Sequence, residues 1–310
     1  MKRAYWPTLL TLCLILYGCA ANTGPSTTPT AETAADTDGG RDLIRWIPVT
    51  DDSGATTKME ARICRPDDAA PAHLVVINHG SPPHADERPT MQLEECSQRA
   101  VRWFVDRGFV VVEALRRGYG ATGGVWAEGY GSCEDPDYVR AGLETARDIG
   151  AVVTYATALP FVIPDGVTVV GQSAGGWGTI AYDSVPHSRV AAFVVMAGGR
   201  GGHHRDIANN NCRPDLLAQA AGQFGRTATT PMLWIYAEND SFFGPPVANS
   251  LLQAFTASGG LVDFHRPGPY GQDGHHLFFG KGGTEVWGPL IKNYLVQRGA
   301  LSQADWDAGG

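Results

Sequence analysis

The sequence predicts an α/β fold: a mostly parallel sheet, doubly wound by helices and opened by an antiparallel hairpin. Three observations carry that expectation. From residue 73 onward, short β-branched apolar runs alternate with longer helical stretches, as in strands joined by crossover helices. Those runs are apolar throughout, which suits strands covered on both faces. The chain has 310 residues, 43% of them hydrophobic, enough for one large core.

Residues 43–49 and 57–64 flank the turn signal Asp51-Asp52-Ser53-Gly54 and form the opening hairpin. His73 to Ile77 is the first buried strand. A helix follows around residues 91–106, with Ala100, Val101, Phe104 and Val105 at helical spacing and Gly108 behind them. Phe109 to Leu115 is a strand, 137–158 a long helix, and Val167 to Gly171 a strand that turns abruptly into a helix after Ser173. Val190 to Met196 and Pro231 to Tyr236 are further strands, followed by a helix at 245–257, a strand at 261–265 and a last helix at 285–297. Residues 198–229, rich in Gly, His and Asn, break the alternation and are expected to form a small cap with a short helix.

The formal net charge is -8 and no lysine-arginine run occurs in the body, which argues against nucleic acid as a partner. At the start, Lys2 and Arg3 precede the apolar stretch Leu9 to Tyr17, broken only by Thr11. This is the make-up of a secretory signal over residues 1–18, too short to span a bilayer. Residues 19–41 are dominated by Thr, Ala, Pro, Ser, Gly and Asp, a composition that cannot offset its ordering entropy by burial; they are expected to form a flexible tether, with the folded domain at 42–310. Leu16-Tyr17-Gly18-Cys19 resembles the lipobox of bacterial lipoproteins. That resemblance implies a lipid on Cys19 and an exported enzyme held at a membrane or cell surface; the plainer alternative is an ordinary signal cut nearby.

Cys13 lies in the signal, leaving Cys64, Cys96, Cys133 and Cys212 in the body. Four cysteines in an exported protein suggest two disulfides and allow three pairings. Cys133 and Cys212 both lie in polar loops expected at the carboxyl ends of parallel strands, on either side of the strand before Ser173. A bridge between them would staple the cap, leaving Cys64 with Cys96. No Cys-x-x-Cys or helical His spacing occurs, and His203-His204 are adjacent, so no metal or other cofactor is expected.

The strongest chemical signal is Gly171-Gln172-Ser173-Ala174-Gly175 after the strand Val167-Thr168-Val169-Val170. A strand, a serine at a strained turn and a helix make a nucleophile elbow, and the flanking glycines let the backbone bend. On these residues the chain from 73 to 297 resembles the α/β-hydrolase superfamily, in particular its dienelactone-hydrolase and prolyl-oligopeptidase-like branches. The resemblance implies the order nucleophile, acid, histidine. Asp240, a few residues past the strand ending at Tyr236, takes the acid position, with Glu238 as competitor. His275 in Gly274-His275-His276 takes the base position, with His276 as competitor. Imidazole titrates near neutrality and can take the serine proton and return it to the leaving group.

An oxyanion hole needs two backbone N–H groups. Ala174 offers one, and Ser81 in Asn78-His79-Gly80-Ser81, which resembles the superfamily's His-Gly motif, offers the other. His79 itself reads as a packed structural residue. Arg116-Arg117-Gly118-Tyr119-Gly120 resembles a superfamily segment in which the arginine is chiefly structural. Trp126, Tyr130, Phe242 and Phe243 are pocket-wall candidates. The expected activity is hydrolysis of a small carboxylic ester through an acyl-enzyme on Ser173. The alternatives are a peptidase or amidase and, less favoured, a non-catalytic envelope lipoprotein on the same fold.

Overall fold

Eight strands form one sheet in the order β1-β2-β4-β3-β5-β6-β7-β8, and this order sets where the loops meet. The computed structural model describes residues 1–2, 40–67, 70–302 and 306. Residues 3–39, which hold most of the expected signal and tether and Cys19, lie outside the described residues.

The hairpin β1 (Asp42–Thr50) and β2 (Thr56–Cys64) turns through Asp51, whose Oδ1 accepts from the Ser53 and Ala55 amides. Strand β2 runs antiparallel to β4 (Val110–Ala114), and from β4 onward the sheet is parallel. Strands β3 (Leu74–Asn78), β4 and β5 (Val167–Gln172) are buried at every residue, matching their uninterrupted apolar runs. The remaining strands are β6 (Val190–Met196), β7 (Met232–Ile235) and β8 (Val262–His265).

Helices cover both faces. On one side, α1 (Arg99–Val105) and α6 (Gly283–Gln297) close a core that includes Val75, Ile77, Phe104, Trp287 and Ile291. On the other, α2 (Tyr138–Ala156), α3 (Ala174–Asp183), α4 (Pro214–Gly225) and α5 (Pro245–Ala257) bury Ile149, Trp177, Phe224 and Phe255 against Val76, Val169 and Trp234. At roughly 1.5–3 kcal/mol for each large apolar side chain removed from water, these two layers supply the main force for folding.

Two segments differ from expectation. The helix expected to begin near 91 begins at Arg99, where the Gln98 side chain accepts from the Ala100 and Val101 amides. The residues before it are held elsewhere: the Glu94 amide donates to Glu113 on β4, and Cys96 is bridged to Cys64 on β2. Within 198–229, residues 199–202 line a cavity above Ser173, whereas α4 buries Leu217, Ala220, Ala221 and Phe224 in the helical layer. The overhang is therefore the short stretch before α4. It carries the second bridge, Cys133–Cys212, whose Cα atoms are 4.8 Å apart across a sequence separation of 79. Disulfides persist in oxidising compartments. Among the described residues no helix is long and apolar enough to cross a membrane.

Candidate active site

The site lies at the carboxyl ends of the parallel strands, where such sheets bind ligands. Ser173 ends β5 with φ 55° and ψ -118°, a conformation costly for a residue with a Cβ. The turn stays tight because its neighbours are glycines: a Cβ on Gly175 would lie 2.2 Å from the Asn78 carbonyl oxygen. The turn is pinned by the Ser173 amide donating to the Met196 carbonyl (2.9 Å) and the Gly199 amide donating to the Ser173 carbonyl (3.1 Å). Strain at one residue is thus held by β6 and the loop that follows it.

Asp240 follows β7 and is 1% exposed. Its Oδ1 accepts from the Phe242 and Phe243 amides, both at 2.8 Å, and both carboxylate oxygens lie 3.1 Å from His275 Nδ1. A carboxylate only accepts, so the proton of this bond sits on Nδ1, and Nε2 takes no part in it. The loop after β8 that carries His275 is held by Asp273, whose Oδ1 accepts from the His275 and Ser241 amides and whose Oδ2 accepts from the Ser241 hydroxyl. Hydrogen bonds hold the Asp273 carboxyl below its usual range, in spite of burial that acts to raise it. Phe242 stacks on the His275 imidazole at 4.2 Å and on the His203 ring at 3.6 Å. The Gln172 side chain donates to the His275 carbonyl at 3.1 Å, tying the elbow to this loop. His275 is buried and His276 exposed. Among the described residues Ser173 Oγ makes no hydrogen bond, so the serine-to-histidine link is open in this structure, as is common before substrate binds.

Ser81, Ala174 and Ser173 border one cavity of about 220 Å³, together with Trp126, Tyr130, Phe242 and Phe243. The Ser81 and Ala174 amides donate to no other described group, and both are therefore free to meet an oxyanion. His79 is a packed residue. Its Nδ1 lies 2.6 Å from the Gly80 carbonyl oxygen, and its Nε2 accepts from the Arg116 amide at 3.2 Å. Burial, reinforced by the Arg116 charge, pushes its pKa down to about 3, so it stays neutral.

Beneath the cavity floor lies a network that the sequence did not announce. Glu128 is paired with Arg116 (2.7 Å) and with Arg200 (2.6 Å), and all three side chains are 2% exposed. Tyr119 and Thr145 also donate to Glu128. Burial acts to raise the Glu128 pKa, but the two guanidinium groups outweigh it and hold it well below the usual range. His204 lies close to Cys133 and Cys212, but both sulfur atoms are committed to the bridge, so this cluster offers no thiolate to a metal.

A strained serine after a parallel strand, a buried aspartate after β7 bonded to a histidine in the loop after β8, and the sheet order together define an α/β-hydrolase fold, and the enzyme is a hydrolase of the serine type. Residues 53–238 match the family model described as X-Pro dipeptidyl-peptidase (S15 family), and the chain belongs to that family. The matched region contains Ser173 and ends just before Asp240. No curated protein matches the chain in sequence. Among solved structures, a Klebsiella pneumoniae chain described as a dienelactone hydrolase is 14% identical with a TM-score of 0.55; the match covers 83% of this chain and 100% of that one. An esterase from Pyrococcus furiosus is 14% identical with a TM-score of 0.56, covering 83% of this chain and 93% of that one. An acylaminoacyl peptidase from Pyrococcus horikoshii is 13% identical with a TM-score of 0.56, covering 83% of this chain. This chain spans 42% of that peptidase's length. At these identities the likeness is one of fold.

Proposed function

We propose that the enzyme cleaves small carboxylic esters through an acyl-enzyme on Ser173, with His275 as general base and Asp240 as its orienting acid. One observation carries the reading: the unbonded Ser173 hydroxyl borders the same cavity as two unused backbone amides and as Phe242, which stacks on a histidine whose tautomer a buried carboxylate sets. In the first half-reaction Ser173 Oγ attacks the ester carbonyl and its proton passes to His275 Nε2. The oxyanion is met by the Ala174 and Ser81 amides, the carbonyl carbon's bond to the leaving alkoxide breaks, and His275 returns the proton to that oxygen. Water, deprotonated by the same imidazole, then releases the carboxylic acid and restores Ser173.

Esters are favoured over dipeptide release by the charges at the cavity. Releasing a dipeptide requires holding a cationic amino terminus, and the described cavity residues include two arginines and no carboxylate. Peptide or amide hydrolysis is the second reading, supported by the family to which the chain belongs. We further propose that residues 1–18 direct export, that 19–41 tether the domain at 42–310, and that Cys19 carries a lipid; the two disulfides suit such a location.

Kinetics on short-chain esters test the assignment. Ser173→Ala is expected to lower kcat by on the order of 10⁶ with folding intact, by analogy with other serine triads. His275→Ala should fall nearly as far and His276→Ala far less. Retention of a tenth of the turnover by Ser173→Ala would remove Ser173 from the role, and the opposite histidine ranking would move the base.

A further inference from the structure

We propose that the cavity beside Ser173 contains an anion subsite made by Arg200 and Arg88, and that the substrate carries a carboxylate near its scissile ester. The inference rests on the reading of Ser173 as nucleophile for the word substrate; the subsite itself rests on the arginines.

Arg200 is 3% exposed and borders the cavity. A guanidinium offers five N–H donors. Among the described residues Arg200 uses only Nη2, to Glu128 and to the Thr145 hydroxyl (3.2 Å), while its Nε is buried without a partner. A buried donor left unused carries a desolvation cost, which a ligand accepting from this guanidinium would offset. Glu128 is also shared: it faces Arg116 as well as Arg200, one carboxylate against two cations. Two further acids of the same helix, Asp148 and Glu144, are engaged by Arg117 and, for Glu144, also by Arg147.

The second cation comes from a different segment. Arg88 borders the same cavity and lies over the Trp126 ring at 3.8 Å, with Arg200 against the same ring at 5.9 Å. The Arg88 guanidinium has no acidic partner among the described residues. Stacking on the indole fixes it at little entropic cost and leaves its N–H edges free. The positive field of both arginines is felt by the Tyr130 hydroxyl on the cavity wall, where it opposes the upward shift that burial causes. The cavity, at about 220 Å³, is smaller than those for drug-sized ligands. A small acyl group with one carboxylate fits its size and its charge. Half-esters of short dicarboxylic acids meet that description.

Two measurements on the full chain decide it: kcat/KM for monoethyl glutarate against ethyl pentanoate, and calorimetry of glutarate binding. The wild type should favour the half-ester by about tenfold or more and bind glutarate. Arg88→Met should weaken both effects several-fold and Arg200→Met should abolish them, while Arg102→Met, on exposed α1, should change neither. Because Arg200→Met also releases Glu128 and can unfold the protein, the Arg88→Met result stands by itself. An enzyme that cleaves ethyl pentanoate, shows no preference for the half-ester and binds no glutarate would overturn the subsite and leave the Ser173 reading intact. Glutarate bound through Arg88 by a protein that cleaves neither ester would overturn the Ser173 reading and keep the subsite. Glutarate affinity unchanged in both arginine variants would also overturn the proposal.

Discussion

Two buried carboxylates support the residues around the cavity, Asp240 and Glu128, and they are used in opposite ways. Asp240 faces one imidazole and two backbone amides, all from its own turn and the adjacent loop. Glu128 faces two guanidinium groups, a phenol and a hydroxyl gathered from α2 and from the loops after β4 and β6. The first arrangement sets a tautomer. The second joins three segments into one floor and leaves positive charge over. The same acid chemistry thus serves proton transfer on one side and cohesion with charge selection on the other.

Substituting the two acids should separate these roles. Asp240→Asn keeps the shape but presents an N–H to Nδ1, which favours the wrong tautomer; kcat should fall by about 10⁴ with little change in Tm. Glu128→Gln strands two buried cations, and a loss of about 3–5 kcal/mol in stability is expected, read by urea denaturation. If Glu128→Gln keeps full stability while Asp240→Asn unfolds the enzyme, the two roles have been assigned the wrong way round.

The bridge over the site is the next largest effect. Converting Cys133 and Cys212 together to Ser should cost about 2–4 kcal/mol, because the bridge closes a long loop. Half of that cost or less, with turnover unchanged, would mean that the overhang needs no staple to hold Arg200 in place.

The smallest effect concerns a third buried acid, Glu113 on β4, which accepts from the Glu94 amide at 2.8 Å. Burial pushes its pKa up to about 8 from 4.5. The folded state then binds more protons than the unfolded state between these values, so this group's contribution to stability falls as pH rises through that window. A Glu113→Gln variant should show a shallower decline in Tm from pH 5 to pH 8 than the wild type. An equal slope in both would mean that Glu113 is ionised throughout.

The difference between the two carboxylates also explains what could be read from the sequence. Ser173, Asp240 and His275 could be nominated as candidates because each sits at a fixed point after a recognisable strand. The choice of His275 over His276 agrees with its burial beside Asp240. Glu128 and Arg200 carried no such signal. Each lies in a glycine-rich loop with no repeat or spacing, and their pairing across 72 positions depends on the strand order. Asp273, which caps the histidine loop, carried no signal in the sequence that set it apart from other loop acids. The late start of α1 was hidden for a similar reason, since the tethers at Glu94 and Cys96 are long-range.

The central claim, that Ser173 is the nucleophile activated by His275, is tested most directly by covalent capture. Intact wild-type protein is treated with a fluorophosphonate, digested, and mapped by mass spectrometry. One adduct per chain on the peptide bearing Ser173 is expected, absent in Ser173→Ala and strongly slowed in His275→Ala. An adduct on another residue, or labelling of Ser173→Ala at the wild-type rate, would contradict it.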